Sequence, residues 1–189
     1  MSVSNREELV EHLRHGNRVH FLFFWGHQKS AAGIGKTCLS QWYESPFEAG
    51  GITYLTAEQF MMAEKARLFG DGDTRAKILA STRPDTAKAL GRVVAGFDDR
   101  RWAERRFDIV VAANLEKFQQ NPDLKAFLLG TGDSVLVEAS PVDSIWGIGL
   151  AADDPNAGNP AAWKGLNLLG FALMQVRDRL RRQTDVTAV

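Results

Sequence analysis

The sequence predicts a helix-rich α+β domain. Most of the chain divides into runs of helical length that carry capping residues and an apolar face, while only a few short runs have a β-rich composition. With 189 residues, of which 44% are hydrophobic, the chain is long enough to bury a real core as one domain, or as one domain with a small extension.

Capping residues and apolar spacing predict seven helices. They cover residues 4–16, 56–70, 71–81, 83–95, 98–118, 121–130 and 165–182. Ser4 and Glu7 fit a capping box at the first helix, in which each side chain satisfies a backbone donor. Pro84 is acceptable in the first turn of the fourth helix, and Asp98 or Asp99 can cap the fifth.

The remaining segments predict short strands and loops. Residues 18–25 form a continuous apolar run that is typical of a buried strand, and residues 134–138 form another strand. Two short strands are predicted within residues 39–54, around a turn that contains two glycines. Loops are predicted over 26–37 and 143–159.

Composition excludes several classes of function. The chain has 23 basic and 23 acidic residues, which is unlike a protein that coats nucleic acid. Cys38 is the single cysteine, so no intramolecular disulfide can form, as suits a reducing cytoplasm. No signal peptide and no apolar stretch of membrane-spanning length is visible, so we expect a cytoplasmic protein without a membrane partner.

Residues 56–70 are the most informative stretch of the chain. Thr56 and Gln59 fit a capping box, and Gly70 can take the left-handed position that ends a helix. Between them, Glu58 and Lys65 lie seven residues apart, so they share one helix face. Two charges on a face with methionine are unusual in a core and common in a catalytic site, although exposure to solvent is the more frequent explanation for such charges.

Two further segments have features of binding sites. A flexible loop contains Gly33-Ile34-Gly35-Lys36-Thr37, which lacks the first glycine of a phosphate-binding P-loop but offers the cationic side chains of Lys29 and Lys36. After the strand at 134–138, an aspartate, a tryptophan and two glycines could hold a ribose and a base, or form a structural turn around a buried indole. The start of the last helix, at 163–167, could bind phosphate or act only as a cap. No metal site is predicted, because the four histidines are scattered and lack a neighbouring acidic cluster.

Many short motifs follow one another along residues 20–182. They include Trp25-Gly26-His27, Ser40-Gln41-Trp42, Thr56-Ala57-Glu58, Lys65-Ala66, Leu90-Gly91-Arg92, Lys117-Phe118, Val137-Glu138-Ala139-Ser140, Trp146-Gly147-Ile148-Gly149 and Trp163-Lys164-Gly165-Leu166-Asn167. In their order and joint presence, these motifs resemble those of the NADAR, or YbiA-like, family. The resemblance implies a YbiA-like domain over residues 18–183, preceded by a helical extension at 1–17 and followed by a disordered tail at 184–189.

The resemblance also implies N-glycosidase activity without a cofactor. One branch of the family hydrolyses ribosylamino-pyrimidine intermediates of the riboflavin pathway, and another removes ADP-ribose from guanine in nucleic acid and opposes ADP-ribosyltransferase toxins. The motifs here look more like the second branch, with ADP-ribosylated DNA as substrate; a non-catalytic ADP-ribose-binding module is a further alternative. Where many relatives carry histidine after the matching glutamate, this chain has Gln59.

The resemblance assigns roles to particular residues. Lys65 would form a Schiff base with the opened ribose, and Glu58 would transfer protons. The expected substrate-binding residues are Trp25, Gly26, Lys36, Trp42, Arg92, Glu138, Asp143, Trp146, Gly147, Gly149 and Asn167.

Overall fold

A computed structural model describes residues 3–187, with side chains through residue 183. The chain forms two compact units. The first unit runs up to Ser40 and resumes from Asp123 onward, and the second spans Gln41–Pro122. Among the described residues, no helix combines the length and the apolar character that crossing a bilayer would require.

The structure is α+β with far more helix than strand, as the sequence predicted. The helices are α1 Arg6–Arg14, α2 Ala57–Leu68, α3 Gly72–Ala80, α4 Pro84–Arg92, α5 Asp99–Gln120, α6 Pro122–Gly130 and α7 Leu168–Thr187. The strands are β1 Phe21–Phe24, β2 Phe47–Ala49, β3 Ile52–Tyr54 and β4 Val135–Glu138, and two short 3₁₀ helices lie at Lys36–Leu39 and Pro160–Ala162.

In the first unit, β1 and β4 form a two-stranded parallel sheet with Phe21 opposite Val135. Helix α7 packs against β4, and the core consists largely of apolar side chains from these two elements. Gly170 permits this packing, because a Cβ atom there would lie 2.1 Å from the Leu136 carbonyl oxygen. The close contact places the start of α7 directly beside the end of β4.

In the second unit, β2 and β3 form an antiparallel hairpin. Its two-residue loop is Gly50-Gly51, and both glycines have positive φ, as the type I′ turn of a tight hairpin requires. The rings of Phe47 and Tyr54 stack across the strands and contact Phe60 of α2. The hairpin therefore packs on α2 through an aromatic cluster.

Helix α2 begins and ends where the sequence predicted. Thr56 Oγ1 accepts a hydrogen bond from the Gln59 amide at 3.2 Å, which caps the helix start. Gly70 has a φ of +74°, its amide donates to Arg67, and the Asp71 amide donates to Ala66. This pair of bonds is the Schellman motif, which satisfies carbonyls at the helix end.

Several predicted boundaries were wrong. Asn5, rather than Ser4, caps α1, and its side chain accepts from the Glu8 amide. The strand within residues 18–25 is reduced to the four residues of β1, and three of them are only half-buried. Helix α7 begins three residues later than predicted and is helical through Thr187, within the segment assigned to a tail. Residues 188 and 189 lie outside the described part of the chain.

Candidate active site

The amine of Lys65, in the second unit, lies beside two aromatic rings. Its Nζ donates to the Gly91 carbonyl oxygen at 2.8 Å and lies 4.1 Å from the centroid of the Phe97 ring. The Trp102 ring lies at 5.6 Å from the same atom. The side chain is half-buried, so the amine is partly shielded from water without being sealed from a ligand.

Burial lowers the pKa of the Lys65 ammonium, while the negative charge of Asp99 raises it in part. Desolvation disfavours the charged form of an amine, so a larger share of Lys65 is neutral at a given pH than for a lysine in water. The ring faces of Phe97 and Trp102 attract a cation and so favour the charged form. The site can therefore hold a protonated lysine in place and still release the proton more readily than an exposed side chain does.

Gly91 brings α4 close to α2 at this point. A Cβ atom at residue 91 would lie 2.0 Å from Met62 Sδ and 2.9 Å from Met62 Cγ. Because no side chain intervenes, the Gly91 carbonyl comes within hydrogen-bonding distance of Lys65. Met62 and Lys65 share one face of α2, as the spacing predicted, and Met62 is buried against Gly91.

Glu58 lies in the first turn of α2 and is only 3% exposed. Its amide donates to the Gln41 carbonyl oxygen at 3.0 Å, which fixes the backbone of this turn. The alternative that Glu58 is a solvated surface charge is therefore wrong. A buried carboxylate close to a helix N-terminus is stabilised by the positive end of the helix dipole.

Glu58 and Lys65 lie in the first and the last turn of the same helix. Seven residues separate them, which corresponds to about 10 Å along the helix axis. The backbone amide of Glu58 bonds to Gln41. The side-chain amine of Lys65 contacts Gly91 and the rings of Phe97 and Trp102.

Gln59 has a structural role in the described contacts. Its Oε1 accepts from the Leu55 amide at 2.8 Å, one residue earlier than the capping box predicts. Its Nε2 donates to the carbonyls of Ile78, Leu79 and Ser81 at the end of α3. The side chain thus ties α2 to α3, and an amide, with both a donor and an acceptor, serves both ends of that tie.

Two of the predicted substrate-binding residues also lie in the second unit. Trp42 is half-buried, and Lys88 Nζ lies 5.5 Å from the centroid of its ring. Arg92 ends α4 directly after Gly91, and its side chain is exposed. Arg92 is therefore available to an anion in the vicinity of the Lys65 amine.

The other predicted residues belong to the first unit. Trp25 follows β1 and is 56% exposed, and Gly26 after it has a φ of +80°. Lys36 is exposed at the start of a 3₁₀ helix. Glu138 ends β4 and is half-buried.

Asp143 organises the loop that follows β4. Its Oδ1 accepts from the amides of Ile145 at 2.9 Å and Trp146 at 2.8 Å, which closes a tight turn. Trp146 is half-buried, so part of its ring is accessible for stacking. A Cβ atom at Gly147 would lie 2.8 Å from the Glu138 carbonyl oxygen, so this glycine is required by the chain's own backbone.

The segment before α7 is bonded to the loop that follows β4. The amides of Leu166, Asn167, Leu168 and Leu169 donate to carbonyls of residues 144–147. These four amides are therefore not free to bind phosphate, which favours the alternative that the segment acts as a cap. A Cβ atom at Gly165 would lie 2.2 Å from the Gly147 carbonyl oxygen, so this glycine allows the two segments to meet.

Asn167 is fully buried and has a φ of +54°. Its Nδ2 donates to the Leu136 carbonyl at 2.9 Å, and its Oδ1 accepts from the Glu138 amide at 3.0 Å. Both polar atoms of the side chain therefore hold β4 to the start of α7. Substrate binding by Asn167 remains a prediction, and these bonds give it a structural role as well.

The sequence analysis did not identify all residues around the two central side chains. Phe97 lies outside every motif, and its position beside Lys65 follows from the folding of the segment between α4 and α5. Gln41 and Gly91 belong to motifs that carried the family resemblance, but spacing alone gave them no role. Asn114 lies in α5 and contacts the Gln41 side chain, a long-range contact without a local signal in the sequence.

Comparisons with known proteins place this fold among YbiA-like proteins. The solution NMR structure of the Escherichia coli protein YbiA aligns with 89% of this chain and 89% of its own chain, with a TM-score of 0.70 and 25% sequence identity. N-glycosidase R617 of Acanthamoeba polyphaga mimivirus is 44% identical over 163 residues, which is 84% of this chain and 95% of that protein. N-glycosidase Npun_R5314 of Nostoc punctiforme is 34% identical over 152 residues, or 80% of this chain and 90% of that protein.

Residues 23–181 match the NADAR domain. The chain therefore belongs to the NADAR domain family. The match covers both compact units, including α2 with Glu58 and Lys65.

Proposed function

We propose that this protein is an N-glycosidase that removes ADP-ribose from ADP-ribosylated guanine in DNA, through a Schiff base on Lys65. Its similarity to proteins named N-glycosidase supports the reaction class. The observation that carries the proposal is the half-buried amine of Lys65, with its lowered pKa, on the same buried helix as Glu58.

Lys65 is suited to nucleophilic attack because an amine must be neutral to attack carbon. Its surroundings lower the pKa through desolvation, and the Gly91 carbonyl orients Nζ. An arginine at this position would keep the positive charge and much of the contact with Phe97, but it would not form a Schiff base.

In the proposed reaction, Glu58 first protonates the ribose ring oxygen, and the ring opens as an imine forms between the anomeric carbon and the base nitrogen. Lys65 Nζ then adds to this carbon and becomes a secondary ammonium, which passes a proton to the base nitrogen. The bond to the base nitrogen breaks, and the base departs, leaving a protonated Schiff base on Lys65. A water molecule, deprotonated by Glu58, attacks the lysine Schiff base. The ribose leaves as an aldehyde that recloses, and the free amine of Lys65 is regenerated.

Arg92, in the second unit with Lys65 and Glu58, would bind the substrate through its exposed cation, which would contact the diphosphate. An ADP-ribosyltransferase that modifies DNA would be the functional counterpart of this activity.

Reductive trapping tests the covalent step. The protein is incubated with DNA that carries ADP-ribosylated guanine, borohydride is added, and the adduct is located by peptide mass spectrometry. We expect a stable ADP-ribose adduct on Lys65 and loss of both adduct and turnover in Lys65→Arg. Lys77→Arg is the matched control, because Lys77 is exposed on α3 and should retain full activity.

Turnover by Lys65→Arg at the wild-type rate would exclude the Schiff-base route. The same enzyme preparation is assayed in parallel with a ribosylamino-pyrimidine of the riboflavin pathway. Faster turnover of that substrate would overturn the assignment to ADP-ribosylated guanine while leaving the N-glycosidase class intact.

A further inference from the structure

Two buried amides beside Glu58 are incompletely satisfied. Gln41 is 6% exposed and Asn114 is fully buried. Asn114 Nδ2 donates to Gln41 Oε1 at 2.7 Å. Within residues 3–183, Gln41 Nε2 and Asn114 Oδ1 have no hydrogen-bond partner.

The orientation of this amide pair is fixed by the backbone. Asn114 Nδ2 also donates to the Val110 carbonyl at 2.9 Å. Exchanging the nitrogen and the oxygen of Asn114 would place two acceptors against each other at Val110, so the amide group can be assigned from its contacts. The unused atoms of the pair are therefore one donor, on Gln41, and one acceptor, on Asn114.

The unused donor and acceptor lie close together. The nitrogen and oxygen of one amide are about 2.2 Å apart, so the 2.7 Å bond between the side chains keeps the two unused atoms within about 7 Å. Buried polar groups in proteins are nearly always hydrogen-bonded, and one that lacks a partner is costly. A hydroxyl group, which accepts one bond and donates another, is complementary to such a pair.

We propose that Gln41 and Asn114 bind one hydroxyl of the substrate ribose, with Gln41 Nε2 donating to the hydroxyl oxygen and Asn114 Oδ1 accepting its proton. The pair lies beside the proposed proton-transfer residue, because the Gln41 carbonyl accepts from the Glu58 amide at 3.0 Å. The inference rests on the proposed function for the identity of the sugar. It makes the amide pair a determinant of specificity for ribose over deoxyribose.

The test compares the full substrate and two deoxy analogues in the wild type, in one variant and in a control. The substrates are guanine-linked ADP-ribose and analogues that lack the 2′- or the 3′-hydroxyl of the linked ribose. The variant is Gln41→Met, which preserves the length of the side chain and removes its donor, and Gln41→Asn is the second variant if the methionine substitution impairs folding. Gln119→Met is the control, since Gln119 is exposed on α5.

In the wild type, removal of the recognised hydroxyl should lower kcat/KM about tenfold or more. In Gln41→Met, the full substrate should show a similar loss, and removal of the hydroxyl should then have almost no additional effect. The control should behave as the wild type does. If the two losses multiply, the amide pair does not bind the hydroxyl, and the inference is overturned while the enzymatic activity stands.

The design separates this inference from the proposed function. If the wild type does not turn over the substrate, the same comparison is made by calorimetry with ADP-ribose and its deoxy analogues. Loss of discrimination in Gln41→Met would then support the amide pair although the proposed reaction had failed. Equal affinity of the wild type for ADP-ribose and for every deoxy analogue would refute it.

Discussion

Replacement of Asn167 should destabilise the protein strongly, because this side chain joins two elements of the first unit. It donates to Leu136 and accepts from Glu138, both in β4, from a buried position directly before α7. Its backbone has a positive φ, a conformation that asparagine and glycine adopt at lower cost than alanine.

The magnitude follows from these contacts. Asn167→Gly removes two hydrogen bonds while allowing the same backbone, and each of the two buried groups that loses its partner costs about 1–3 kcal/mol, so we expect a loss of about 2–6 kcal/mol. Asn167→Ala adds the cost of a left-handed backbone and should lose about 1 kcal/mol more. A loss of this size is a large part of the 5–15 kcal/mol that is usual for a folded protein, as an order of magnitude.

Urea unfolding of the wild type and both variants, followed by circular dichroism, measures these free energies of unfolding. We expect the urea concentration at the midpoint to be highest for the wild type, lower for Asn167→Gly and lowest for Asn167→Ala, with similar slopes. If Asn167→Gly unfolds at the wild-type midpoint and only binds substrate more weakly, the side chain is a ligand-binding group and the structural argument is refuted.

Three other changes have defined outcomes. Gly170→Ala should lower the free energy of unfolding by about 3 kcal/mol in urea unfolding, because its Cβ would lie 2.1 Å from the Leu136 carbonyl oxygen. Glu58→Gln should retain ADP-ribose binding in calorimetry and lose about 100-fold or more in kcat, since it removes proton transfer alone. Asp99→Asn removes a charge that raises the Lys65 pKa, so the rising limb of the pH–rate profile should move to lower pH, where the amine is now neutral.

Matched controls exist for each change. Gly158→Ala introduces a Cβ with no atom within 4 Å and should be neutral in the unfolding assay. Glu64→Gln lies on the same helix as Glu58 and should retain turnover. Asp108→Asn, on the same helix as Asp99, should leave the pH–rate profile in place. Equal loss of binding and turnover in Glu58→Gln, or an unchanged profile in Asp99→Asn, would contradict the assigned roles.

The helices whose ends carry their own local signals were predicted well from the sequence. Helix α2 is the clearest case, because a threonine cap and a terminal glycine act within one turn of the residues that they affect. The same holds for α5, where Asp98 accepts from the Arg101 amide. Helix α1 is one residue off, because Ser4 and Asn5 are both good caps and only packing decides between them.

Predictions failed where distant segments determine the local structure. The start of α7 was placed too early, because the amides after Gly165 bond to a loop about twenty residues earlier instead of beginning a helix. The glycines in that loop were interpreted as room for a ligand or as part of a structural turn, and Gly147 lies against the Glu138 backbone, as in such a turn. A sequence indicates that a close approach is required, but it does not indicate which group approaches.

In the candidate site, too, local features were predicted from the sequence and tertiary contacts were not. The shared helix face of Glu58 and Lys65 follows from spacing, and the resemblance to the NADAR family gave these residues their roles. The burial of Glu58, the ring of Phe97 beside Lys65 and the amide pair of Gln41 and Asn114 depend on tertiary packing. The spacing of residues within one helix or strand does not reveal a contact between residues about seventy positions apart, such as Gln41 and Asn114.

Backbone hydrogen bonds between residues 144–148 and 164–169 attach the loop that carries Trp146 to the beginning of α7. Such a loop cannot swing as a lid, since any displacement would have to pull the beginning of α7 with it. In hydrogen–deuterium exchange, the amides of Leu166 and Asn167, which precede α7, should exchange as slowly as those in the middle of that helix.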